Sequence, residues 1–314
     1  MERIVNSPNI SRRPPKKRLI KSSTIFVIVM LLYPVAHFLL MWIAVNFNSI
    51  LLCFQRVENF RLTWVKPSEM FFNFETLFMK LRTDADTRQM FLSSAAYSLI
   101  NCFVILPISL FFSYFIFKKV LASGFFKVIF FLPSILPLII LTTAYSLMLN
   151  SNGPLGTLLS KSGVDVASLF IKSSTAPWMV WIFCVWAGIG YDVILLTAGM
   201  ARIPRDILES CKMDGVPTIK EFIRIIIPLN WPTITTLFVL GLMAMFNIYL
   251  QPFFLTAGAN GTNTMTIGLQ IYNASQGTNK AEPATLGLFC SLIGAPIIMT
   301  IRHFLNKMFT GVDF

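Results

Sequence analysis

The stretch WMVWIFCVWAGIGYDVILLTAGM, residues 178–200, decides the class of fold for this chain. Its only charged residue is Asp192, and its length meets the ~20 apolar residues that a helix needs to cross a bilayer. Charged residues make up 13% of the whole chain, whereas a soluble domain carries about a quarter. Because a soluble fold would leave large apolar surfaces in water, the sequence predicts an integral membrane protein.

Five further stretches are long and apolar enough to span a membrane, and prolines inside most of them predict kinked helices. These stretches are residues 23–45, 91–117, 125–149, 234–255 and 284–304. The sequence therefore predicts an all-α, polytopic membrane protein with six transmembrane helices. The predicted regions are a basic N-terminal segment at 1–22, a first transmembrane helix with an outer loop at 23–90, and a core of five transmembrane helices at 91–314.

The distribution of basic residues predicts the orientation of the chain in the membrane. With the N-terminus inside, 17 of the 26 Lys and Arg residues fall in segments predicted on the cytoplasmic side. Cytoplasmic loops carry an excess of Lys and Arg, so we expect both termini in the cytoplasm. The same clustering at the ends of apolar stretches explains the net charge of +12 without nucleic acid as a partner.

The sequence contains no recognisable catalytic constellation. The two histidines, His37 and His303, are far apart, and neither has a carboxylate or cysteine at metal-ligand spacing. Residues 156–162 end like a phosphate-binding loop but lack the second glycine before Lys161. We therefore expect no catalytic residue, no metal site and no cofactor bound by this chain.

The predicted cytoplasmic loop at 201–230, ARIPRDILESCKMDGVPTIKEFIRIIIPLN, is long for a connection between two spans. Pro204 suits the first turn of a helix, and Asp206 lies near the positive end of that helix dipole. Asp214 and Gly215 then predict a turn before a second apolar helix. The loop is therefore expected to form two short helices along the membrane surface, either as a docking element or as an ordinary amphipathic interfacial loop.

This loop resembles the EAA loop of binding-protein-dependent ABC importer permeases, whose pattern is E-A-A-x-x-D-G-A followed by F, I and L-P. Five positions carry the family residue: Glu209, Asp214, Gly215, Phe222 and Pro228. Ser210 and Cys211 replace the first two alanines with other small side chains. The resemblance implies that these seven residues couple the chain to a groove of an ATPase subunit.

The resemblance extends over about residues 70–310. Phe131-Leu132-Pro133 is similar to a motif of the third span, and residues 246–256 are similar to a segment of the fifth span. The combination resembles sugar-type permeases related to the larger membrane subunit of the maltose transporter, without that subunit's large outer domain. It implies the type I ABC importer permease fold.

The same resemblance implies a set of partners and a location. A second homologous permease would form the other half of the pathway, and two cytoplasmic ATPase subunits would bind ATP. An extracellular solute-binding protein would deliver a mono- or oligosaccharide. The chain itself would lie in the lipid bilayer of a bacterial cytoplasmic (inner) membrane.

Polar residues inside the spans are candidates for contact with the solute, because such residues are costly to place in a membrane. Tyr191 and Asp192 lie midway along the fourth span, and Asn247 and Gln251 are spaced to share one face of a helical fifth span. The alternative is that these groups bond to neighbouring helices, or that Asp192 meets a basic residue of the second permease. The resemblance adds three residues to the pathway: Gly241, Met245 and Ile248.

Three alternatives remain open from the sequence. The same importer architecture serves non-sugar solutes such as a glycerol phosphate or a polyamine. A polytopic membrane enzyme would need paired carboxylates at a membrane face, for which only Asp84 and Asp86 are available in the first outer loop. A stand-alone secondary carrier predicts an internal repeat, and none is detectable.

Overall fold

A computed structural model describes residues 22–58, 61–120, 122–258 and 262–308. Most of the predicted basic segment, residues 1–21, lies outside these described residues. Four helices are long and apolar enough to cross a membrane, and the number reaches six if each of two bent helix pairs is one span. The predicted all-α, polytopic membrane fold is therefore confirmed.

The first long helix, α1, spans Ser22–Leu52 and contains Pro34 without a break. Its large apolar side chains are exposed around the whole circumference, which is typical of a helix that lipid or another membrane helix surrounds. At 1.5 Å per residue, 31 residues extend over about 46 Å, more than the ~30 Å of a hydrocarbon core. The helix thus continues past its predicted end at residue 45.

The predicted first outer loop contains regular structure of its own. After α1 come β1 at Gln55–Glu58, β2 at Arg61–Trp64 in an antiparallel pair with β1, a 3-10 turn at Pro67–Glu69, and α2 at Phe72–Thr83. The amide Nδ2 of Asn73 donates to the carbonyl oxygens of Cys53, at 2.7 Å, and Gln55, at 2.8 Å, which fastens α2 to the strands. Strands of four residues place only two side chains on each face, so they give too weak a periodic signal to predict.

The second span continues from Ala85 to Phe117 as two α-helices, α3 at Ala85–Ile100 and α4 at Leu106–Phe117. A π-helical turn at Asn101–Ile105 joins them, and the N–H of Leu106 bonds to the carbonyl of Asn101. This wide turn comes just before Pro107, which has no N–H to donate. A local π adjustment therefore lets the helix pass the proline without ending.

The third span is broken, although we predicted one helix. Its parts are α5 at Ser123–Ile135 and α6 at Leu138–Leu149, and the segments Ser123–Ile135 and Leu138–Lys161 are inclined by 107°. The two residues between them, Leu136 and Pro137, have extended backbones. A residue before proline is pushed out of the helical region, so Pro137 produces a break here and more than the expected kink.

The helix α8, Ala176–Met200, confirms the span predicted at 178–200 and lies at the centre of the packing. It contacts α3, α4 and α5, and also the later helices α12 at Trp231–Asn247 and α13 at Leu250–Thr256. Its buried residues recur at helical spacing: Val180, Phe183, Val193, Leu196 and Met200. This helix therefore holds the two broken spans and the second span together.

The fifth span is also broken, between α12 and α13, where the sequence predicted a continuous helix at 234–255. Pro252 cannot donate an N–H to the carbonyl of Ile248, which lies four residues earlier. The hydroxyl of Thr266 donates to that carbonyl instead, at 2.7 Å. The break is thus stabilised by a residue from the next connection.

Three further helices complete the described chain: α7 at Pro154–Lys161, α14 at Ile267–Ser275 and α15 at Ala281–Met308. α15 is the last span, and it continues past both predicted ends, residues 284 and 304. It contacts α2, α12 and α14. The connection between the fifth and sixth spans is therefore packed against both of them.

Candidate functional site

The loop at 201–230 folds into short helices, as its sequence predicts. These are α9 at Arg205–Met213, α10 at Thr218–Glu221, a π-helical turn at Phe222–Ile226, and α11 at Ile227–Leu229. Asp206 lies in the first turn of α9 and Lys212 in its last turn, so both charges complement the helix dipole. The segment Thr218–Leu229 meets α12 at an angle of 74°.

Only one side of α9 is packed against the spans. Leu208 contacts a cluster of buried apolar residues, and Cys211 is buried on the same side. The cluster joins α4, the end of α8 and the loop: Tyr114, Met200, Ile203 and Ile226. On the other side of α9, Glu209 and Ser210 are exposed. Of these candidate residues, Cys211 therefore supports the helix, while Glu209 and Ser210 face outward.

Asp214 and Gly215 form the turn that ends α9. Gly215 has φ +63°. Its N–H bonds to the carbonyl of Lys212 at 3.2 Å, and the N–H of Val216 bonds to the carbonyl of Cys211 at 3.0 Å. These two bonds define a Schellman cap, which favours glycine at the left-handed position. No atom lies within 4 Å of the place where a Cβ at Gly215 would be. The backbone conformation, not lack of space, therefore requires the glycine.

Two apolar residues that we did not predict flank this turn. Met213 is 87% exposed and Ile219 is 73% exposed. With the exposed residues already described they form a surface that we name the loop tip: Glu209, Ser210, Met213, Asp214, Gly215 and Ile219. Exposed apolar side chains rimmed by charges are typical of a surface that contacts another protein. The signal in the sequence was the apolar residue immediately before Asp214-Gly215.

The second half of the loop is packed instead of exposed. The ring of Phe222 lies 4.7 Å from the ring of Tyr114 in α4, and Ile226 is fully buried. The amide Nδ2 of Asn230 donates to the carbonyl of Leu196 in α8 at 3.2 Å. Pro228 is partly buried and lies two residues after the end of the π-helical turn. Phe222 and Pro228 therefore belong to the part that fixes the loop to the spans.

The candidate residues of the fourth span differ in exposure. Tyr191 is 54% exposed, and Asp192 beside it is half-buried. Within the described part of the chain, Asp192 takes part in no ion pair. Their contact with a solute or with a second permease stays a prediction.

The break in the fifth span separates two other candidates. Asn247 is exposed at the end of α12, and Gln251 is half-buried in the first turn of α13. Ile248 and Tyr249 between them are not helical. The expectation that Asn247 and Gln251 share one helix face is therefore wrong, because it assumed an unbroken helix. Contact of either side chain with a solute stays a prediction.

The three apolar candidates pack within this chain. Gly241 is buried, and a Cβ on it would lie 3.0 Å from the sulfur of Cys102. Ile248 belongs to the buried cluster that contains Phe183, and Met245 packs against the cluster around Met90. Their role as pathway residues stays a prediction, although each contacts neighbouring helices.

An aromatic group beside the break was missed by the sequence analysis. The rings of Tyr249 and Tyr272 are stacked at 5.3 Å, and Phe253 meets Tyr272 edge-on at 5.3 Å. Tyr272 lies in α14, outside every predicted span, so no local pattern linked it to the fifth span. The group packs α14 against α13.

The cysteines and the other side chains that could bind a metal are dispersed in the part of the chain that the structure describes. There, no three His, Cys, Asp or Glu side chains lie close enough to hold a metal ion, and no cysteine forms a disulfide. Burial raises the pKa of the Cys53 thiol, which disfavours the thiolate that binds metals.

Broken and continuous apolar helices packed on α8, with a loop of short helices whose first half is exposed, define a polytopic membrane fold. The family of binding-protein-dependent transport system inner membrane components matches residues 87–310. This match covers more than half of the chain, so the chain belongs to that family. The resemblance drawn from the loop motif is thereby confirmed, and the chain is a membrane-spanning transport subunit.

Two curated relatives have sugar-related names. The probable starch degradation products transport system permease protein AmyD of Thermoanaerobacterium thermosulfurigenes is 26% identical over 63% of this chain and 68% of its own length. The multiple sugar-binding transport system permease protein MsmF of Streptococcus mutans is 26% identical over 61% of this chain and 66% of its own length. The chain thus aligns with about two thirds of either relative.

Two solved structures share the fold. A bacterial ABC transporter involved in the import of the acidic polysaccharide alginate superposes with a TM-score of 0.74 and 20% identity, covering 91% of this chain and 96% of that chain. The alginate transporter in complex with a pentasaccharide-bound periplasmic protein superposes with a TM-score of 0.76 and 18% identity, covering 92% and 96%. At this level of identity the likeness establishes the permease fold.

Proposed function

We propose that this chain forms half of the translocation pathway of an ATP-driven importer for a mono- or oligosaccharide. The names of the relatives concern starch degradation products and multiple sugars, and the structural neighbours import alginate. The loop at 201–230 couples the pathway to cytoplasmic ATPase subunits.

The observation that carries this proposal is the contrast within the loop. Glu209, Ser210, Asp214 and Gly215 lie at the exposed loop tip, whereas Phe222 is packed against α4. A surface built in this way presents a short helix to a partner and transmits the partner's motion into the spans. That arrangement suits coupling to a separate motor protein.

The remaining machinery comes from other chains in this proposal. A second homologous permease supplies the other half of the pathway, and an extracellular solute-binding protein delivers the sugar. ATP is bound by the two ATPase subunits, since the sequence of this chain offers no nucleotide-binding loop. The chain lies in the cytoplasmic membrane of a bacterium with both termini in the cytoplasm, as the distribution of Lys and Arg predicts.

Reconstitution in liposomes tests the proposal. The purified chain alone is expected neither to hydrolyse ATP nor to accumulate solute. Uptake is expected when a second permease, an ATPase and a solute-binding protein are added together. The assay uses labelled mono- and oligosaccharides, with glycerol 3-phosphate and spermidine as non-sugar comparators.

A matched assembly that contains Asp214→Lys/Gly215→Trp serves as the control, because it changes only the loop tip. Uptake by the complete assembly should require ATP and should be lost in this control. Uptake by the single chain driven by an ion gradient would refute the importer reading. Uptake of only the comparators would refute the sugar assignment while leaving the importer intact.

A further inference from the structure

An ion pair with a buried carboxylate joins the second span to the coupling loop. The Nζ of Lys118, the residue directly after α4, lies 2.7 Å from both carboxylate oxygens of Glu221 in α10. The side chain of Glu221 is 5% exposed and that of Lys118 is 25% exposed. A buried carboxylate is costly unless it is paired and hydrogen-bonded, and here a single lysine meets that need.

Further contacts fix the same two elements to each other. The hydroxyl of Tyr114 in α4 donates to the carbonyl of Thr218 at 3.3 Å, and Lys118 lies 5.8 Å above the ring of Tyr114. The ring of Phe222, one residue after Glu221, lies 4.7 Å from the ring of Tyr114. The end of α4 and the start of the loop's packed half therefore form one connected unit.

The backbone after Lys118 is held in a demanding conformation. Lys119 has φ +52°, in the left-handed region that is unfavourable for a residue with a Cβ. The N–H of Lys119 bonds to the carbonyl of Ile116 at 3.0 Å, and the N–H of Val120 bonds to the carbonyl of Phe115 at 3.5 Å. This cap ends the second span abruptly, so that Lys118 stays beside the loop.

We infer that Lys118 and Glu221 are positioning residues that hold the packed half of the loop against the second span. A movement of α9 then displaces the spans instead of bending the loop at Asp214-Gly215. A buried ion pair adds little net stability but specifies one arrangement, because leaving either charge unpaired is costly. That the pair passes the motion of α9 to the spans rests on the proposed function. That the pair fixes the loop to the second span does not.

The chain contains a matched pair for comparison. Lys80 of α2 and Glu282 of α15 also approach to 2.7 Å, but their side chains are 46% and 43% exposed. Exposed pairs of this kind contribute little to stability, because solvent screens their attraction. Reversal of the charge at Lys80 therefore controls for the introduction of a charge without a change at the loop.

Hydrogen exchange of the full chain in lipid nanodiscs tests the holding role. Lys118→Glu and Glu221→Lys should each speed amide exchange across residues 218–229 by about tenfold or more, because each leaves like charges facing each other in a buried site. The double variant Lys118→Glu/Glu221→Lys and the conservative Lys118→Arg should recover most of the protection. In Lys80→Glu, amide exchange across residues 218–229 should be as slow as in the wild type. The amides of α8 should stay protected from exchange in every variant.

ATP hydrolysis by the reconstituted assembly tests the transmission role. In Lys118→Glu, the stimulation of ATP hydrolysis by solute-loaded binding protein should fall by at least the same factor as the protection of residues 218–229 from exchange. The stimulation should recover in the double variant Lys118→Glu/Glu221→Lys. Unchanged exchange in both single variants would overturn the inference, and so would full stimulation despite faster exchange. A wild-type assembly without any stimulation would instead refute the proposed function, and the exchange data would still decide whether the pair holds the loop.

Discussion

The helices α7 and α9 precede and follow the same transmembrane helix, α8, and they end in the same backbone turn. The glycine has φ +82° at Gly163 and +63° at Gly215. In each turn the glycine N–H bonds to the carbonyl three residues before it, and the next N–H bonds to the carbonyl five residues before it. No atom lies within 4 Å of where a Cβ would stand at either glycine.

The two regions differ in what surrounds this shared turn. Of the eight residues of α7 only Lys161 is charged, and the helix packs against α6. Of the nine residues of α9, four are charged. Leu208 and Cys211 face the spans, whereas Met213 at the end of the helix is exposed. The residues after Gly163 bury two apolar side chains, Val166 and Leu169.

The comparison separates backbone geometry from function. A Schellman cap stops a helix and reverses the chain in both places, so the D-G pair of a family motif is first of all a device for ending a helix. α9 differs from α7 because one side of it is exposed and charged, while the second half of its loop is packed against the spans. The coupling role therefore depends on the side chains around the turn and on the anchoring of the loop.

The largest expected contrast between the two regions is their side of the membrane. In a cysteine-free background, Lys161→Cys after α7 should react fully with an impermeant thiol reagent added to intact cells. Lys220→Cys after α9 should react only after the membrane is opened. Both lysines are exposed, so burial does not limit the reaction.

Quantified labelling by gel shift gives the measurement, and labelling in opened membranes confirms that both cysteines are reactive. The reverse pattern would overturn the orientation drawn from the basic residues. Equal labelling from outside at both positions would contradict the placement of α7 and α9 at opposite ends of α8.

The next contrast is the effect of a large residue at each glycine. Gly215→Trp and Gly163→Trp impose the same backbone cost, roughly 1–2 kcal/mol for a Cβ in the left-handed region. Gly215→Trp should abolish the solute-stimulated ATP hydrolysis of the assembled importer, because it also fills the loop tip. Gly163→Trp should keep most of that activity, and both variants should be present in the membrane at similar amounts.

Gly215→Asn serves as the conservative control for this experiment. Asparagine tolerates the left-handed conformation and is small, so we expect it to retain substantial stimulation. Equal loss of activity in Gly163→Trp and Gly215→Trp would show that the backbone alone accounts for the effect. The loop tip would then lose its assignment as the docking surface.

The sequence predicted where helices occur better than where they break. Pro34, Pro133 and Pro296 all lie inside intact helices, whereas Pro137 and Pro252 accompany breaks. The carbonyl that a proline leaves unpaired must be satisfied by another group. For Pro252 that group is a threonine of the next connection, and no local pattern reveals it.

The coupling loop shows the same division between local and distant information. Its helices and its turn follow from dipole charges, proline and glycine within 30 residues of sequence. The pair of Lys118 and Glu221 is separated by 103 residues, so it becomes visible only when α4 and α10 are packed together. Apolar periodicity identified the spans, but it carried no information about which polar side chains would meet.

The smallest expected effect concerns the ion pairs beside the two turns. Lys172 lies 3.0 Å from Asp165, close after α7, and their side chains are 56% and 61% exposed. In the pair of Lys118 with Glu221, by contrast, the carboxylate is buried. Hydrogen bonds from the side chains of Ser168 and Lys172 lower the pKa of the Asp165 carboxyl below its usual range. A lowered carboxyl pKa stabilises the folded state above the unfolded pKa, and this contribution is lost as the pH falls through the folded value. An ordinary aspartate has a pKa of about 3.9, so Asp165 stays ionised from roughly pH 5 to 8. The attraction between Asp165 and Lys172 should therefore not vary with pH in this range.

We expect Asp165→Asn to melt at nearly the same temperature as the wild type, and the small difference should be constant across this pH range, when the purified chain is followed by tryptophan fluorescence. Solvent screens an exposed pair, and ordering two mobile side chains offsets much of its attraction. Lys118→Glu, measured in the same way, should melt at a clearly lower temperature because it leaves a buried carboxylate without its partner. If Asp165→Asn destabilised the chain as strongly as Lys118→Glu does, burial would not be what distinguishes the two ion pairs, and the anchoring assigned to the loop beside α9 would lose its physical basis.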